Sequence, residues 1–555
     1  MPTQLLLKSN SDIPMEKIWC RQYPAGVPAA IEPNIYRSVV ALFEQSVLRF
    51  GPRPAFTNLD KTLTFSILDA LSRDFAAYLQ QSLSINNQDC VAIMLPNLLQ
   101  LPIALFGAMR TGARITNVNP FYTPTELEHQ LNDAGAKTIV VNFDSMSVLS
   151  KILHKTLIET VIVVHPDDLT PSGKTSCGAK QHPQETVEFK AALASGRKLE
   201  LHPVEIDNED ILFLQYTGGT TGISKGATLT HRNLIANILQ FSAVLGPKIE
   251  QGQEVILAPL PLYHIFALSL NALAFLYLGG HSILITDPRN LPALVSEFDQ
   301  WNFSVMLGVN TLFNRLLNSP NFRALDFSAL KICIGGGAAI QRSVADRWFE
   351  TTHCHILEGY GLSETSPLLT LNPYNLTEFS GTIGLPVPST EISLRDEQGN
   401  AVAVGESGEL CVKGPQIMRG YWGQKAATQE AMTADGFFKT GDIATMDEKG
   451  YFRIVDRKKD MILVSGFNVF PNEVEEVVSQ CASVLENACI GVPDEQSGEA
   501  VKIFVATKPG IQLSAEELKT HCKQRLTAYK VPKYIEFIDE LPKSTIGKIL
   551  RRKLR

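Results

Sequence analysis

Ile211–Asn233 reads ILFLQYTGGTTGISKGATLTHRN, and this stretch decides the fold. Ile211–Tyr216 is an apolar run with the length of a buried strand. It passes into a loop holding Gly218, Gly219, Gly222 and Gly226, with the hydroxyls of Thr217, Thr220, Thr221 and Ser224 and the cation of Lys225 between them. From near Thr230 the apolar residues Leu234, Ile235, Ile238, Leu239 and Phe241 predict a helix. Glycines let backbone N–H groups approach an anion, and hydroxyls with a lysine complete a cradle for phosphate. The spacing G-x-x-x-x-G-K-[ST] of the P-loop is absent. By composition alone, a Gly/Thr/Ser loop reads equally well as a flexible connection.

Outward from this unit, β-branched runs at Thr138–Phe143, Thr160–His165, His281–Thr286, Ser304–Val309 and Lys331–Ile334 alternate with helical patterns. Continuous apolar strands alternating with helices predict parallel sheets covered on both faces, an α/β fold. Pro166–Gln184, rich in Pro, Ser, Gly, Lys and Asp, reads as a surface loop between subdomains. Around Gly381–Gly420, short segments separated by Gly and Pro predict a small β-rich subdomain. Beyond Asp456 a charged run, Arg457-Lys-Lys-Asp460, opens a compact α+β pattern with two helix-capping signals, Asn472 with Glu475 and Ser514 with Glu517. The expected division is 1–456, a large N-terminal domain of parallel α/β sheets plus the β-rich subdomain, and 457–555, a small α+β domain of a size that folds alone. Residues 1–14 are expected to carry little order.

At 555 residues the chain can bury several cores without disulfides or a structural metal. Hydrophobic residues at 45% and charged residues at 19% exclude a disordered chain, a collagen-like chain and a disulfide scaffold. Lys+Arg 50 against Asp+Glu 57 gives −7, which argues against a dedicated nucleic-acid binder. The nine cysteines contain no C-x-x-C pair and read as thiols of a reduced, cytosolic chain. Leu5–Leu7 before Lys8 is too short an apolar run for a signal-peptide core. Val255–Thr286 runs 32 residues without a charge, but Pro259, Pro261, His264, Asn271, Gly279 and Gly280 divide it. It predicts a helix over Phe266–Tyr277 between two strands, and a greasy core or ligand pocket in preference to a bilayer span.

Thr217–Gly226 is similar to the signature loop of the adenylate-forming superfamily, which comprises acyl-CoA synthetases, luciferases and peptide-synthetase adenylation domains. Four more segments follow in that family's order. Glu358–Glu364 (EGYGLSE) resembles its adenine and metal motif, and Thr440-Gly-Asp442 its ribose motif. Asp456-Arg457 resembles its interdomain hinge, and Pro542–Lys548 (PKSTIGK) its catalytic-lysine motif. Gly436–Val478, Leu260–Phe266 and Tyr122–Leu131 (YTPTELEHQL) resemble the bacterial long-chain fatty-acid–CoA ligases within it, so the similarity spans nearly the whole chain.

The resemblance implies ATP-dependent activation of a long-chain fatty acid to its coenzyme A thioester through an acyl-adenylate, feeding fatty-acid degradation. It implies ATP contacts from Tyr216, Thr217, Gly218, Gly219, Thr220, Thr221, Gly222, Ile223, Ser224, Lys225, Gly226 and Ala227. Further ATP contacts would come from Gly336, Gly337 and Ala338, and from Glu358, Gly359, Tyr360, Gly361 and Ser363, where the family more often has Thr. Tyr360 would stack on adenine, Asp442 with Arg457 would hold the ribose, and Thr217 with Glu364 would hold Mg²⁺ on the phosphates. Lys548 would place its charge where the carboxylate meets the α-phosphate, which makes Lys548, Glu364 and Thr217 the implied catalytic residues. The small C-terminal domain would be mobile, rotating about Lys459 to withdraw Lys548 and bring Ser465 and Gly466 to the pantetheine of coenzyme A.

His264 and Phe266 are the candidates for the acyl group. A satisfied core histidine is the other reading of His264, a core aromatic that of Tyr360, a surface turn that of Asp442 and Arg457, and a solvated basic tail that of Lys548. The implied partners are a long-chain fatty acid, ATP and coenzyme A, with no nucleic acid. A cytoplasmic location follows, with a homodimer and peripheral attachment to the inner face of the membrane through the basic end Lys543–Arg555 left open. Competing readings are a medium-chain or aryl-acid CoA ligase, and a fatty-acid binding or uptake protein without catalysis.

Overall fold

The computed structural model describes residues 17–169, 185–217, 224–465, 467–545 and 547–555. The expectations for residues 1–14 and for most of Pro166–Gln184 therefore lie outside the described residues. Among those described, two large sheets build the N-terminal domain. In one, Ile356–Gly361, Ile332–Gly335, Val305–Gly308, Val255–Ala258, His281–Leu284 and Pro54–Asn58 lie side by side in parallel, with antiparallel strands closing both edges. In the other, Ile211–Tyr216, Arg114–Asn117, Cys90–Met94, Thr138–Asn142, Thr160–Val164 and Glu185–Glu188 run parallel. Each β-branched run is a strand, shifted or trimmed by a residue or two where turn or helix geometry takes over; Phe143, for instance, opens a short 3-10 helix.

The central strands are buried on both faces, which is why their sequences are continuously apolar. Helices cover them: Phe43 stacks on Phe106 at 4.1 Å between centroids, and Trp348 packs against Phe313 and Phe322. Helices Phe65–Ser82 and Phe189–Gly196 approach so closely that a Cβ on Gly196 would lie 1.8 Å from the carbonyl oxygen of Asp74. Between Val255–Ala258 and His281–Leu284 the uncharged segment forms the expected helix with an unexpected pitch. Ile265–Ala267 and Phe275–Tyr277 are α-helical, while Leu268–Ala274 between them is a π-helix. No described helix is long and apolar enough to cross a membrane.

The β-rich region is an antiparallel sheet of Glu391–Arg395, Gly408–Lys413, Phe438–Met446 and Phe452–Arg457. The small C-terminal domain is built on the long antiparallel pair Val484–Asp494 and Gly498–Thr507, with helices Pro471–Ser479 and Ala515–Lys523 against it. Ser514 and Glu517 form the reciprocal cap expected of them. The other expected cap does not form. Pro471 takes the first helical position, so Asn472 lies inside the helix; its N–H goes to Asp456 and its side-chain oxygen to Arg551. The eight described cysteines are all free thiols, and Cys177 lies outside the described residues.

Candidate active site

Strand Ile211–Tyr216, interior to its sheet, delivers Thr217 at its C-terminal end, and the chain turns back as the antiparallel strand Gly226–Thr230. The Thr217 N–H donates to Lys225 O at 3.1 Å and joins the two ends of the glycine loop. Gly218, Gly219, Thr220, Thr221, Gly222 and Ile223 lie outside the described residues. Gly226 lets the returning strand lie flat on Tyr216: a Cβ there would sit 3.1 Å from the phenol ring. The Tyr216 hydroxyl donates to Asp133, and Ala227 is fully buried. The backbone oxygen of Ser224 is 2.9 Å from His129 Nε2. Thr230 caps the following helix His231–Leu245 in a reciprocal exchange with Asn233.

The other sheet supplies the facing wall. Its strand Ile356–Gly361 places Glu358 inward, where the carboxyl accepts from Ile340 N at 2.9 Å and burial pushes its pKa up to about 8. Glu358 thus braces the turn Gly335–Ile340. Within that turn Gly337 has φ +74°, and a Cβ on Gly336 would meet the Phe266 ring at 3.1 Å and Gly359 O at 3.2 Å. Ala338 is exposed on it. Gly361 is pressed against Pro367, whose oxygen would lie 1.8 Å from an added Cβ. The Tyr360 hydroxyl donates to Asp442 Oδ2 at 2.5 Å, and Arg457 Nε lies 3.3 Å from Asp442 Oδ1. Ser363 opens the short turn Ser363–Thr365, on which Glu364 accepts from the Tyr421 hydroxyl at 2.9 Å. Burial also pushes the Glu364 carboxyl up. Lys225 Nζ lies 5.1 Å from the centroid of the same Tyr421 ring, so one tyrosine links the glycine loop to Glu364. No signal in the sequence distinguished Tyr421.

Lys548 reaches this pocket from the C-terminal domain. Its loop is tied by Ser544, whose N–H donates to Lys548 O at 2.7 Å and whose hydroxyl accepts from Lys548 N at 3.1 Å. Burial and the Arg457 cation push the Lys548 ammonium down to about 8, against the opposing pull of Asp442. Burial, then the charge of Lys548, hold His264 down at about 4. His264 caps the helix that starts at Ile265, its Nδ1 accepting from Phe266 N at 3.3 Å, which leaves the ring proton on Nε2. Lys548, Asp442, Arg457 and His264 are therefore neighbours drawn from three parts of the chain.

The AMP-binding enzyme family matches residues 43–422, and the AMP-binding enzyme C-terminal domain matches residues 473–548. The chain belongs to the AMP-binding enzymes. The long-chain-fatty-acid–CoA ligase of Yersinia pestis is 52% identical to it over 98% of either chain, and that of Haemophilus influenzae 49% identical, again over 98% of each. Among solved structures, the anthranilate CoA ligase AuaEII in complex with anthranoyl-AMP superposes with a TM-score of 0.86 at 25% identity, covering 95% of this chain and 98% of that one.

Of the remaining expected residues of this AMP-binding enzyme, Lys459 lies within electrostatic reach of Arg457, Asp442 and Lys548, while Ser465 sits on a separate hairpin. Ser465 is exposed at the tip of the hairpin Ile462–Val464/Phe467–Val469, with φ +50° and its N–H on Ser497 O at 2.8 Å; Gly466 lies outside the described residues. Lys459 is exposed between the last strand of the β-rich sheet and that hairpin. The basic end is largely occupied with internal partners: Lys543 pairs with Glu486 at 2.8 Å, Arg551 with Glu475 at 2.8 Å, and Arg555 with Asp460 at 2.8 Å. For Mg²⁺ the donor set fits a cation that keeps waters and phosphate oxygens. Glu364 offers one carboxylate whose anionic form is penalised by burial, which a cation would relieve, and no cage of three or more metal-ligating side chains exists among the described residues.

Proposed function

We propose that this protein is a long-chain fatty-acid–CoA ligase that forms an acyl-adenylate and then the coenzyme A thioester. The observation that carries the reading is the convergence of Lys548 with Asp442, Arg457 and His264, beside a wall bearing Tyr360 and Glu364. A fatty-acid carboxylate and the α-phosphate of ATP are both anions, so their encounter requires aimed positive charge in a place sheltered from water. Lys548 supplies that charge. The carboxylate oxygen attacks the α-phosphorus, the bond to the β-phosphate oxygen breaks, and pyrophosphate leaves. The coenzyme A sulfur then attacks the acyl carbon, giving up its proton, and AMP departs with the electrons of the C–O bond.

Asp442 accepts from the ribose hydroxyls with Arg457 beside it, Tyr360 stacks on the adenine, the residues of the glycine loop bind the phosphates, and Gly336, Gly337 and Ala338 let the backbone approach the nucleotide. Mg²⁺ held by Glu364 and Thr217 would neutralise phosphate charge. His264 and Phe266 mark the entry of the acyl pocket, which the uncharged helix beyond them extends; alkyl chains are recognised there at ~0.8 kcal/mol per buried methylene. The π-helical turn Leu268–Ala274 supports this placement, since such turns favour functional sites. The domain boundary is taken at 456/457. Rotation about Lys459 brings Ser465 and Gly466 to the pantetheine for the second step. The same reading carries a homodimer and delivery of substrate from the membrane surface, checked by light scattering and vesicle sedimentation.

The test is AMP release with magnesium ATP and coenzyme A across acetate, octanoate, palmitate, oleate and 4-coumarate. Turnover led by palmitate and oleate is expected. Preference for octanoate or 4-coumarate would replace the long-chain reading with a medium-chain or aryl one, and no AMP from any acid would leave a binding protein.

A further inference from the structure

The helix Asn310–Leu317 in the N-terminal domain presents two side chains one turn apart, Thr311 and Asn314, to the C-terminal domain. The Thr311 hydroxyl donates to Gly547 O at 2.9 Å, next to Lys548 in the chain. Asn314 Nδ2 donates to Leu485 O at 3.2 Å, in the strand Val484–Asp494. Both acceptors are backbone carbonyls from separate elements, so the pair fixes the position of the domain and not merely one loop. Asn314 is oriented for this: its Oδ1 accepts from Arg347 at 3.2 Å, and Arg347 is itself held by Asn318 at 3.0 Å. The fit at Gly547 is close, for a Cβ there would lie 2.7 Å from Thr311 Oγ1 and 3.4 Å from Val309 Cγ2. Val309 is also the nearest side chain to an added Cβ on Gly337, at 3.7 Å, so the lysine loop and the Gly337 turn share one support.

We infer that Thr311 and Asn314 are positioning residues that seat the C-terminal domain on the helix Asn310–Leu317 for the adenylate-forming step. The inference rests on the ligase reading above. Neither residue touches the reacting atoms; they act through Lys548. Rotation of the domain carries Gly547 and Leu485 off the helix, so the seat serves the first half-reaction and is idle in the second.

The experiment measures the half-reactions separately: palmitate-dependent ATP–pyrophosphate exchange, and thioester formation from supplied palmitoyl-AMP and coenzyme A. Thr311→Val keeps the shape and loses the donor, and Asn314→Asp keeps the acceptor for Arg347 and loses the donor. Each is expected to slow exchange about fivefold and the double variant about tenfold or more, the scale of one or two hydrogen bonds. Thioester formation and the melting temperature should stay at wild-type values, and Thr311→Ser should restore exchange to within about twofold. Equal losses in both half-reactions, or no loss of exchange in the double variant, would overturn the inference. Wild-type protein without exchange on any acid would overturn the ligase reading, and the role of the seat with it.

Discussion

Lys548→Ala removes one positive charge from a pocket in which Asp442 and Arg457 remain paired. At about 4 Å from a phosphate oxygen and an effective dielectric near 20, that charge is worth about 4 kcal/mol, or roughly a thousandfold in rate. Losing one aimed donor to a developing anion typically costs about 100- to 1000-fold, so the exchange rate should fall by that order. Thioester formation from supplied palmitoyl-AMP should be little changed, because in the proposed cycle Lys548 has left the pocket by then. The same residue predicts a pH signature. Its ammonium is held near 8, and protonation is the active form, so kcat/KM for exchange should be level below about pH 8 and decline with a one-proton slope above it. Bound phosphates favour the ammonium, so the corresponding limb in kcat should lie at higher pH. The variant should have lost this limb. Exchange and thioester formation falling together, or an unchanged alkaline limb in Lys548→Ala, would refute the assignment.

Other outcomes follow from single contacts. Glu364→Gln should raise the Mg²⁺ concentration needed for half-maximal exchange by about tenfold or more, and Tyr421→Phe, which only orients Glu364, by less, as read from magnesium titrations at fixed ATP. Tyr360→Phe loses a hydrogen bond to a carboxylate, worth about 1.5–3 kcal/mol, and should raise KM for ATP about tenfold while leaving KM for palmitate unchanged. Gly196→Ala forces a Cβ against the Asp74 carbonyl far from the pocket, so Tm should drop by an amount corresponding to about 1–3 kcal/mol with normal exchange per folded molecule.

What the sequence disclosed, and what it withheld, divides by the range of the interaction. Ser514 and Glu517 cap one another across three residues, so local pattern suffices. The cap expected at Asn472 fails to form because Pro471 fixes the first helical turn and Asp456, sixteen positions earlier, claims the Asn472 N–H. The strands around Val140 and Met306 were readable because burial on both faces demands continuous apolar runs. The π-helical turn was not, since Leu268–Ala274 has the composition of any buried helix and the change of pitch leaves no mark on it. The pairing of Tyr360 with Asp442 joins segments 82 positions apart that were each marked by motif. Tyr421 and Thr311 carry no motif of their own; their partners Glu364 and Gly547 lie 57 and 236 positions away, and only the folded chain reveals them. Glu358 shows the reverse case, a motif residue whose carboxyl is turned to the Ile340 N–H and braces the neighbouring turn.

Charged contacts such as Arg551–Asp456 and Asn472–Asp456 lie at the domain boundary itself, while the contacts farther from it are modest in strength, which bears on turnover. Thr311–Gly547, Asn314–Leu485 and Asn119–Thr545 are neutral hydrogen bonds. At a net 0.5–1.5 kcal/mol each they contribute about 1.5–4.5 kcal/mol together. That is enough to favour the orientation with Lys548 in the pocket and small enough to be reversed by a ligand, since moving a two-state equilibrium from 1:99 to 99:1 takes about 5.5 kcal/mol. Pyrophosphate departure removes negative charge from beside an ammonium worth about 4 kcal/mol per charge pair at close range. In the proposed cycle the electrostatic hold on Lys548 weakens when the first step is complete, and by an amount comparable with the hydrogen bonds that remain. Away from the boundary the seat is built from Thr311, Asn314, Asn119 and Thr545, and neutral contacts of this kind give way to such a change more readily than ion pairs would.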